Sequence, residues 1–468
     1  MELEKNKTDV LKFNCIKNYK EEVKLPEKID DNYVKGIAKT EPNSTSTSSE
    51  YSCALCGQDV SKSDLSELSE EQFIRLSFDE ETIFSQEQKS KFRPNEILET
   101  GKRFGLQLEL LHKAGIDGKG VNVAVLDTNF NVDNIEMKDK YGKSKCIIYD
   151  NETAHNKTMD FMHGKTVTAL LCGTNVGVAP NLNLYFFAIN NGNKEHYIHA
   201  FEKIKKLNKE GHNISIISMS SPVEKECNEQ YTKEFRDNNC ELLDSTNWLK
   251  SGYMYYNRNN YLNINEPQNF ELELSIEEFD NIINETSKRT IENGGNPDYV
   301  KAILGGIPFE DKLFIPCGGR TYPQVGENNY KYSAYSSASW TIPQVAGLFA
   351  LAKQLNPLLT FEEFTQISRE TCYRNEQGYR VVNPEGIARQ INEINKEKAQ
   401  NDDRYKDIYS ESQKLIDALD EVIKKQEVNT QKLGQETMQE QNDTSYIKET
   451  EQEIEKSDLK QNKNYLGR

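Results

Sequence analysis

Three segments of the sequence each place one reactive side chain beside a recognisable structural pattern. Asp127 closes the apolar run VNVAVLD, and His163 opens the helical pattern HGKTVTALLCG. Ser339 directly precedes a second long helical pattern that contains TIPQVAGLFAL. A hydroxyl can attack an electrophilic carbon if an imidazole takes its proton and a carboxylate orients that imidazole. These three residue types could therefore form a nucleophilic catalytic group.

Each residue taken alone also has an ordinary structural explanation. Asp127 could cap the turn that follows its strand, and Ser339 could be the N-cap of its helix. His163 has a small neighbour, Gly164, which we interpret as leaving room for a substrate backbone beside the ring. The remaining five histidines lie in polar or amphipathic surroundings without a comparable context, at positions 112, 155, 196, 199 and 212.

The elements around these residues alternate between short apolar runs and helical patterns, which is typical of βαβ units and a parallel sheet covered on both faces. We predict strands at 121–127, 183–189, 214–220 and 240–245. We predict helices at 163–173, 196–211 and 341–356. Functional groups gather at the carboxyl ends of strands in such sheets, so Asp127 lies where a functional residue is expected.

The order of the three candidates along the chain distinguishes between families that use this chemistry. Asp127 comes first, His163 follows after 36 residues and Ser339 after a further 176. The order Asp, His, Ser is that of subtilisin. VNVAVLDTN resembles the aspartate motif of subtilisin-like serine proteases, HGKTVTALLCG resembles their histidine motif, and SASWTIPQVAGLFAL resembles their serine motif.

Further segments are similar to the same family, so that the resemblance covers residues 101–393. It implies a three-layer α/β/α subtilisin-like fold with a mainly parallel central sheet, carrying polar terminal extensions. It also implies a serine endopeptidase with Asp127, His163 and Ser339 as its catalytic triad. We expect domain boundaries near 1–100, 101–395 and 396–468, with an insertion-rich part at 248–310.

The resemblance assigns two further sets of residues. The family uses an asparagine after a core strand to donate a hydrogen bond to the oxyanion, and Asn247 in CELLDSTNW takes that place, with Asn293 and Asn296 as weaker rivals. The segment ISIISMSS is similar to the strand that pairs with the substrate backbone. It implies substrate binding at residues Ser218, Met219, Ser220 and Ser221.

Some residues depart from the family pattern. Asn129 stands where the family has glycine, Ser337 and Ala338 replace Gly-Thr before the nucleophile, and Trp340 follows it. These changes leave open a pseudoprotease of the same fold that acts by binding or regulation. A noncatalytic α/β scaffold that assembles through its C-terminal helix is the other alternative, and it would not depend on Ser339.

Charge and hydropathy narrow the classes of partner. The chain of 468 residues has a net charge of −17, which disfavours the broad basic surface needed for nucleic acid or anionic lipid. Its start, MELEKNKTDVLKFNC, shows no secretory signal, and no apolar stretch of about 18 residues could span a bilayer. We therefore expect a cytoplasmic protein whose partners are protein or peptide substrates, without nucleic acid or membrane.

The cysteines and acidic residues form no metal site that can be read from the sequence. Nine cysteines are scattered without a disulfide framework, and the single CxxC at Cys53 and Cys56 lacks a second pair at zinc-binding distance. We interpret these two as thiols in a loop. Calcium sites are common in the resembled family, which leaves a calcium ion open as an alternative, although no Asp/Asn cluster here has a ligand spacing that can be read. The triad chemistry itself needs no cofactor.

Both ends of the chain are polar, with a mean hydropathy of −0.78 for the whole sequence. We predict a weakly ordered N-terminal extension with one short helix near 66–76. The C-terminal segment contains YSESQKLIDALDEVIKKQ, in which Leu415, Leu419 and Ile423 recur at helical spacing. This pattern predicts an amphipathic helix that is solvated or binds a protein partner and stays outside the core.

Overall fold

The computed structural model describes residues 55–74, 76–139, 141–154, 157, 161–190, 192–223, 225–245, 252–257, 288, 291–292, 311–324, 329–333, 338–374 and 379–431. Asn247, Asn293, Asn296, Ser337 and Cys53 lie outside these ranges. None of the helices described is long and apolar enough to span a membrane.

Residues 55–102 form a unit of short helices and one strand around their own apolar cluster. Its elements are α1 (Glu70–Phe73), β1 (Phe78–Asp79), α2 (Gln86–Phe92) and α3 (Pro94–Lys102). Phe73 is fully buried and stacks on Phe92 with ring centroids 4.3 Å apart. The short helix expected near 66–76 is present as α1. From residue 55 onward the chain is not the weakly ordered extension that was expected, because its polar residues surround a dense set of buried aromatic side chains. Residues 1–54 lie outside the described ranges.

The central sheet consists of five parallel strands in the order β3-β4-β2-β5-β6. Their bounds are β2 (Asn122–Asp127), β3 (Cys146–Asp150), β4 (Asn183–Ala188), β5 (Ile214–Met219) and β6 (Glu241–Asp244). The strands predicted at 121–127, 183–189, 214–220 and 240–245 are confirmed to within one residue at each end.

Helices cover both faces of this sheet because the strand side chains alternate between two apolar clusters. Val123 and Val125 belong to one cluster, and Ala124 and Leu126 belong to the other. The helices preceding or connecting these strands are α4 (Leu108–Lys113), α5 (Met162–Cys172), α6 (Lys194–Lys209) and α7 (Lys225–Arg236). The predicted three-layer α/β/α arrangement with a parallel sheet is thus present.

Two smaller sheets flank the central one. Their strands are β7 (Tyr253–Asn257), β8 (Leu313–Gly318), β9 (Arg320–Pro323), β10 (Tyr330–Ser333), β11 (Tyr373–Arg374) and β12 (Arg380–Val381). One sheet has the order β11-β12-β8-β7, and the other is the antiparallel order β1-β10-β9. The pairing of β1 with β10 joins the N-terminal unit to the body of the protein. Strand β7 falls within the region 248–310, which the sequence predicts to be insertion-rich.

The C-terminal part of the described chain is helical. Its helices are α8 (Ala338–Leu355), α9 (Phe361–Thr371), α10 (Pro384–Ala399) and α11 (404–431). Helix α8 is the element predicted at 341–356, and it begins three residues earlier. Gly347 allows its close approach to the loop after α5, since a Cβ there would lie 2.7 Å from the Cβ of Val178.

The amphipathic helix α11 is packed on the protein and contributes to the core. Leu419 is fully buried and Ile416 is 5% exposed, both within the larger apolar cluster, and Leu415 and Ile423 pack against that cluster. The expectation that this helix is solvated and stays outside the core was therefore wrong, while its binding of a protein partner stays a prediction. Polar contacts beside the thin apolar stripe add to this packing. Arg389 of α10, for example, donates to Asp420 of α11 at 2.7 Å.

Candidate active site

Asp127 is the last residue of β2, the middle strand of the sheet, and its side chain is fully buried. Its Oδ1 atom accepts hydrogen bonds from the Thr128 backbone N–H at 2.7 Å and from the Thr128 hydroxyl at 3.1 Å. The same atom lies 2.6 Å from Nδ1 of His163. A buried carboxylate held by several donors stays in one orientation, so the position of the imidazole is fixed by the strand end.

His163 occupies the first turn of α5 and is 6% exposed. An ionised carboxylate only accepts hydrogen bonds, so Nδ1 of His163 donates to Asp127. The neutral ring then carries its lone pair on Nε2, which is the nitrogen able to accept a proton from a hydroxyl. The pair thus has the orientation required of a general base.

Gly164 is required by the contact between β2 and α5. A Cβ at this position would lie 1.9 Å from the Thr128 carbonyl oxygen. The Gly164 backbone N–H also donates to the Thr128 hydroxyl at 3.0 Å. The space beside the histidine is therefore filled by the protein's own backbone, and the interpretation that Gly164 makes room for a substrate was wrong.

Ser339 lies in the first turn of α8 and is 3% exposed. The next residue, Trp340, places its ring centroid 5.5 Å from that of His163, at an interplanar angle of 33°. The fold thus brings the start of α8 beside the imidazole, although Ser339 follows His163 by 176 residues. The amino end of a helix carries a partial positive charge, which suits a site where an oxyanion develops.

The segment after β5 contacts the start of α8. Ser220 donates its hydroxyl proton to the Ser339 carbonyl at 2.9 Å, and Ser221 accepts from the Tyr197 hydroxyl at 3.1 Å. Ser218 and Met219 lie inside the sheet, with Ser218 paired to β2 and both residues paired to β6. All four residues are at most 5% exposed. The sequence motifs did not assign Tyr197 or Trp340 to the site. Neither residue type signals by its spacing that it contacts Ser221 or His163.

The departure from the family pattern at Asn129 has a local explanation. Its side-chain oxygen accepts a hydrogen bond from the Tyr149 hydroxyl, and its carbonyl accepts from the Phe161 N–H at 2.9 Å. Asn129 is not among the described residues with positive φ, so no glycine is needed there. This residue links β3 and the start of α5 to the site.

One group among the described residues has an arrangement compatible with a metal ion. Asp150, Glu152 and His199 bring ligand atoms within 4.8 Å of one another. The ammonium of Lys203 is paired with Asp150 and lies 3.1 Å from Glu152. Burial opposes the charge of Asp150. Hydrogen bonds from the Lys203 ammonium and from the Glu152 backbone N–H outweigh this effect and lower the pKa of the carboxyl. A lysine thus already supplies positive charge to this group.

Comparison with known proteins agrees with these observations. Residues 118–249 match the Subtilase family. The matched range contains Asp127, His163 and Asn247, and Ser339 lies beyond it. The comparison with curated proteins found no match.

Among solved structures, the chain is similar to one described as a cold adapted subtilisin-like serine proteinase. The identity is 17%, the TM-score is 0.35, and the alignment covers 57% of this chain and 89% of that one. The likeness to subtilases rests on the sequence match. The matched range of 118–249, which contains the motif segments around Asp127 and His163, is similar to the Subtilase family.

Proposed function

We propose that this chain is a serine endopeptidase in which Asp127, His163 and Ser339 form the catalytic triad. The observation that carries the proposal is the 2.6 Å contact between Asp127 and Nδ1 of His163, made by a histidine that packs against the residue next to Ser339. The Subtilase match supports a serine peptidase. Cleavage within chains, rather than at their ends, is the finer part of the proposal.

The reaction follows from the roles of the three side chains. Ser339 Oγ attacks the scissile carbonyl carbon, and its proton moves to Nε2 of His163. Asp127 stabilises the imidazolium, which then gives the proton to the leaving amine as the C–N bond breaks. Water attacks the resulting acyl ester and loses its proton to His163, and the carboxylic product leaves with Ser339 restored. No cofactor takes part in these steps.

Asn247 stays in this proposal as the side-chain donor to the oxyanion, on the strength of the family resemblance. The amino end of α8 would add the partial charge of its backbone N–H groups. Loss of one such donor in subtilisin costs about a hundred- to a thousandfold in kcat. We therefore expect Asn247→Ala to slow catalysis by about that factor while the chain stays folded.

The substrate segment is narrower than the four residues predicted from the sequence. Ser218 and Met219 already have strand partners, so an extended peptide could pair only with the backbone from Ser220 onward. Ser220 is bonded to the Ser339 carbonyl, which would place a peptide at this segment next to the nucleophile. Peptide or protein substrates in a reducing compartment fit the proposal, because Cys146, Cys172, Cys240 and Cys372 are unbridged thiols.

The test is labelling with a fluorophosphonate probe, which reacts with an activated serine whatever the substrate. The wild-type chain should be labelled, and Ser339→Ala and His163→Ala should not. Ser368→Ala is the matched control, since Ser368 is a fully buried serine in α9 whose hydroxyl bonds the Phe364 carbonyl. This variant should be labelled like the wild type.

A pseudoprotease of the same fold is the second candidate, and the burial of the site favours it. His163 and Ser339 are 6% and 3% exposed, which leaves little of either residue open to a substrate. A folded wild-type chain that stays unlabelled would contradict the peptidase and support the pseudoprotease. Binding of peptides without their cleavage would then be the activity to measure.

A further inference from the structure

Arg320 is a buried cation that joins three parts of the chain. It is 1% exposed, at the start of β9. Its Nε donates to the Gly101 carbonyl at 3.1 Å, and its Nη2 donates to the carbonyls of Lys102 at 3.3 Å and Val176 at 2.9 Å. A guanidinium keeps its proton at all ordinary pH values, so this charge depends on its acceptors for stabilisation.

A further hydrogen bond of Arg320 leads towards the nucleophile. Nη1 donates to Oε1 of Gln344 at 2.7 Å. The amide nitrogen of Gln344 donates to the Trp340 carbonyl at 3.0 Å and lies 3.0 Å from Sγ of Cys317. Gln344 thereby connects the guanidinium to the first turn of α8, where Ser339 precedes Trp340.

The N-terminal unit supplies two of the three backbone carbonyls that accept from Arg320. Gly101 and Lys102 end α3, and the last carbonyls of a helix lack partners within the helix. This end of α3 lies directly on β9, since a Cβ at Gly101 would be 2.3 Å from the Thr321 hydroxyl oxygen. Lys102 also places its ammonium 4.1 Å from the centre of the Tyr330 ring in β10.

We propose that Arg320 is a positioning residue that couples the N-terminal unit, residues 55–102, to the nucleophile end of α8 through Gln344. The proposal rests on the catalytic role of Ser339 proposed above. It makes residues 55–102 a working part of the enzyme, whose helix end helps to hold Ser339 in place.

The experiment compares Arg320→Lys and Gln344→Leu with the wild type, using the rate of fluorophosphonate labelling per folded molecule. Lysine is a point charge that cannot span the same acceptors. Leucine at 344 removes the link and leaves the three carbonyl bonds of Arg320 intact. Each variant should be labelled at least about tenfold more slowly, a loss of about 1.4 kcal/mol of transition-state stabilisation. The double variant should be no slower than the slower single one, because both changes break one path.

Tyr332→Phe is the matched control. It removes the hydrogen bond of 2.9 Å from the Tyr332 hydroxyl to the Ile74 carbonyl, which loosens the N-terminal unit away from Gln344. It should lower the melting temperature and leave the labelling rate within twofold of the wild type. This readout separates positioning from general stability.

Three outcomes would overturn the inference. Wild-type labelling rates in folded Arg320→Lys and Gln344→Leu would show that the path does not position Ser339. If Arg320→Lys fails to fold, a wild-type rate in Gln344→Leu alone is sufficient to reject it. An unlabelled wild-type chain would reject the proposed function, and the positioning role with it.

Discussion

Thr128 is the residue on which the geometry of the site depends most. Its N–H and hydroxyl both donate to Asp127, and its hydroxyl oxygen accepts from the Gly164 N–H. Its carbonyl occupies the space that a side chain at 164 would need. One threonine thus orients the carboxylate and sets the position of the helix that carries His163.

At this scale we expect Gly164→Ala to destabilise the fold strongly. The added Cβ would lie 1.9 Å from a backbone oxygen, which cannot move aside as the end of a flexible side chain can. Overpacking costs about 1–3 kcal/mol in typical cores, and a backbone clash should reach or exceed the upper end of that range. The loss of stability is measured as the difference in unfolding free energy between wild type and variant in urea. An unfolding midpoint equal to that of the wild type would contradict the described contact.

Asp127→Asn should preserve the fold and reduce activity. The amide would donate a hydrogen to the ring, so that Nδ1 must accept and Nε2 becomes protonated and unable to act as the base. The same change in a serine protease triad of another fold reduces kcat by about 10⁴-fold. Fluorophosphonate labelling rates would show the loss. Asp117→Asn, in the turn before β2, is the control and should be labelled at the wild-type rate.

At the scale of elements, helix α8 carries a buried lysine, Lys353, which makes the free energy of unfolding depend on pH. Burial lowers the pKa of Lys353 to about 8, and its ammonium donates to the Asn239 side-chain oxygen at 2.8 Å. The unfolded chain binds this proton up to about pH 10.5, so between about pH 8 and 10.5 it holds more protons than the folded chain. Stability from this group therefore rises with pH over that window, by up to about 3 kcal/mol.

Lys353→Met should lack that rise. Cysteines oppose it in both proteins, since burial raises the pKa of Cys240 and the folded chain then keeps a proton that the unfolded chain loses. The Lys353 charge lowers the Cys240 pKa in the wild type, so its removal strengthens the opposing effect in the variant and adds to the expected difference. Urea unfolding at about pH 7 and about pH 10 measures the difference in slope, and equal pH dependence in wild type and variant would refute the assignment.

Helix α11 gives a second prediction at this scale. Leu419→Ala should cost about 2–5 kcal/mol of unfolding free energy, because Leu419 is fully buried against the body of the protein. Val428→Ala in the same helix should cost little, since Val428 is 49% exposed. Similar small effects of both substitutions would mean that the helix is not docked in solution.

The sequence predicted the elements whose periodicity is strong and missed those whose stability comes from distant partners. Strand β2 alternates between two apolar clusters, so its bounds and its role in placing Asp127 were readable. The stripe of Leu415, Leu419 and Ile423 was readable too, but nothing local reveals the surface that covers it. In the same way, Gln344 and Arg320 are 24 residues apart, and neither shows by its type that they form a hydrogen bond.

At the scale of the whole molecule, the N-terminal unit and the body share one sheet and one buried cation. We expect tryptic cleavage at Lys89 and Lys91 to be as slow as cleavage within the body under native conditions. Phe73→Ala should accelerate it, because Phe73 is fully buried and stacked on Phe92. Ile83→Ala is the control, since Ile83 is 54% exposed. Rapid cutting of the wild type at these sites would mean that the unit opens independently.

The bond from Arg320 to Gly101 spans 219 residues, and this separation has a consequence for synthesis of the chain. At about 5–20 residues per second, the ribosome adds Arg320 roughly 10–40 seconds after Gly101. During this interval the N-terminal unit lacks the β10 strand that pairs with β1, and its apolar side chains lack their final cover. The nascent chain is therefore expected to need a chaperone over this interval, and ribosomes that stall before residue 330 should release a product prone to aggregation.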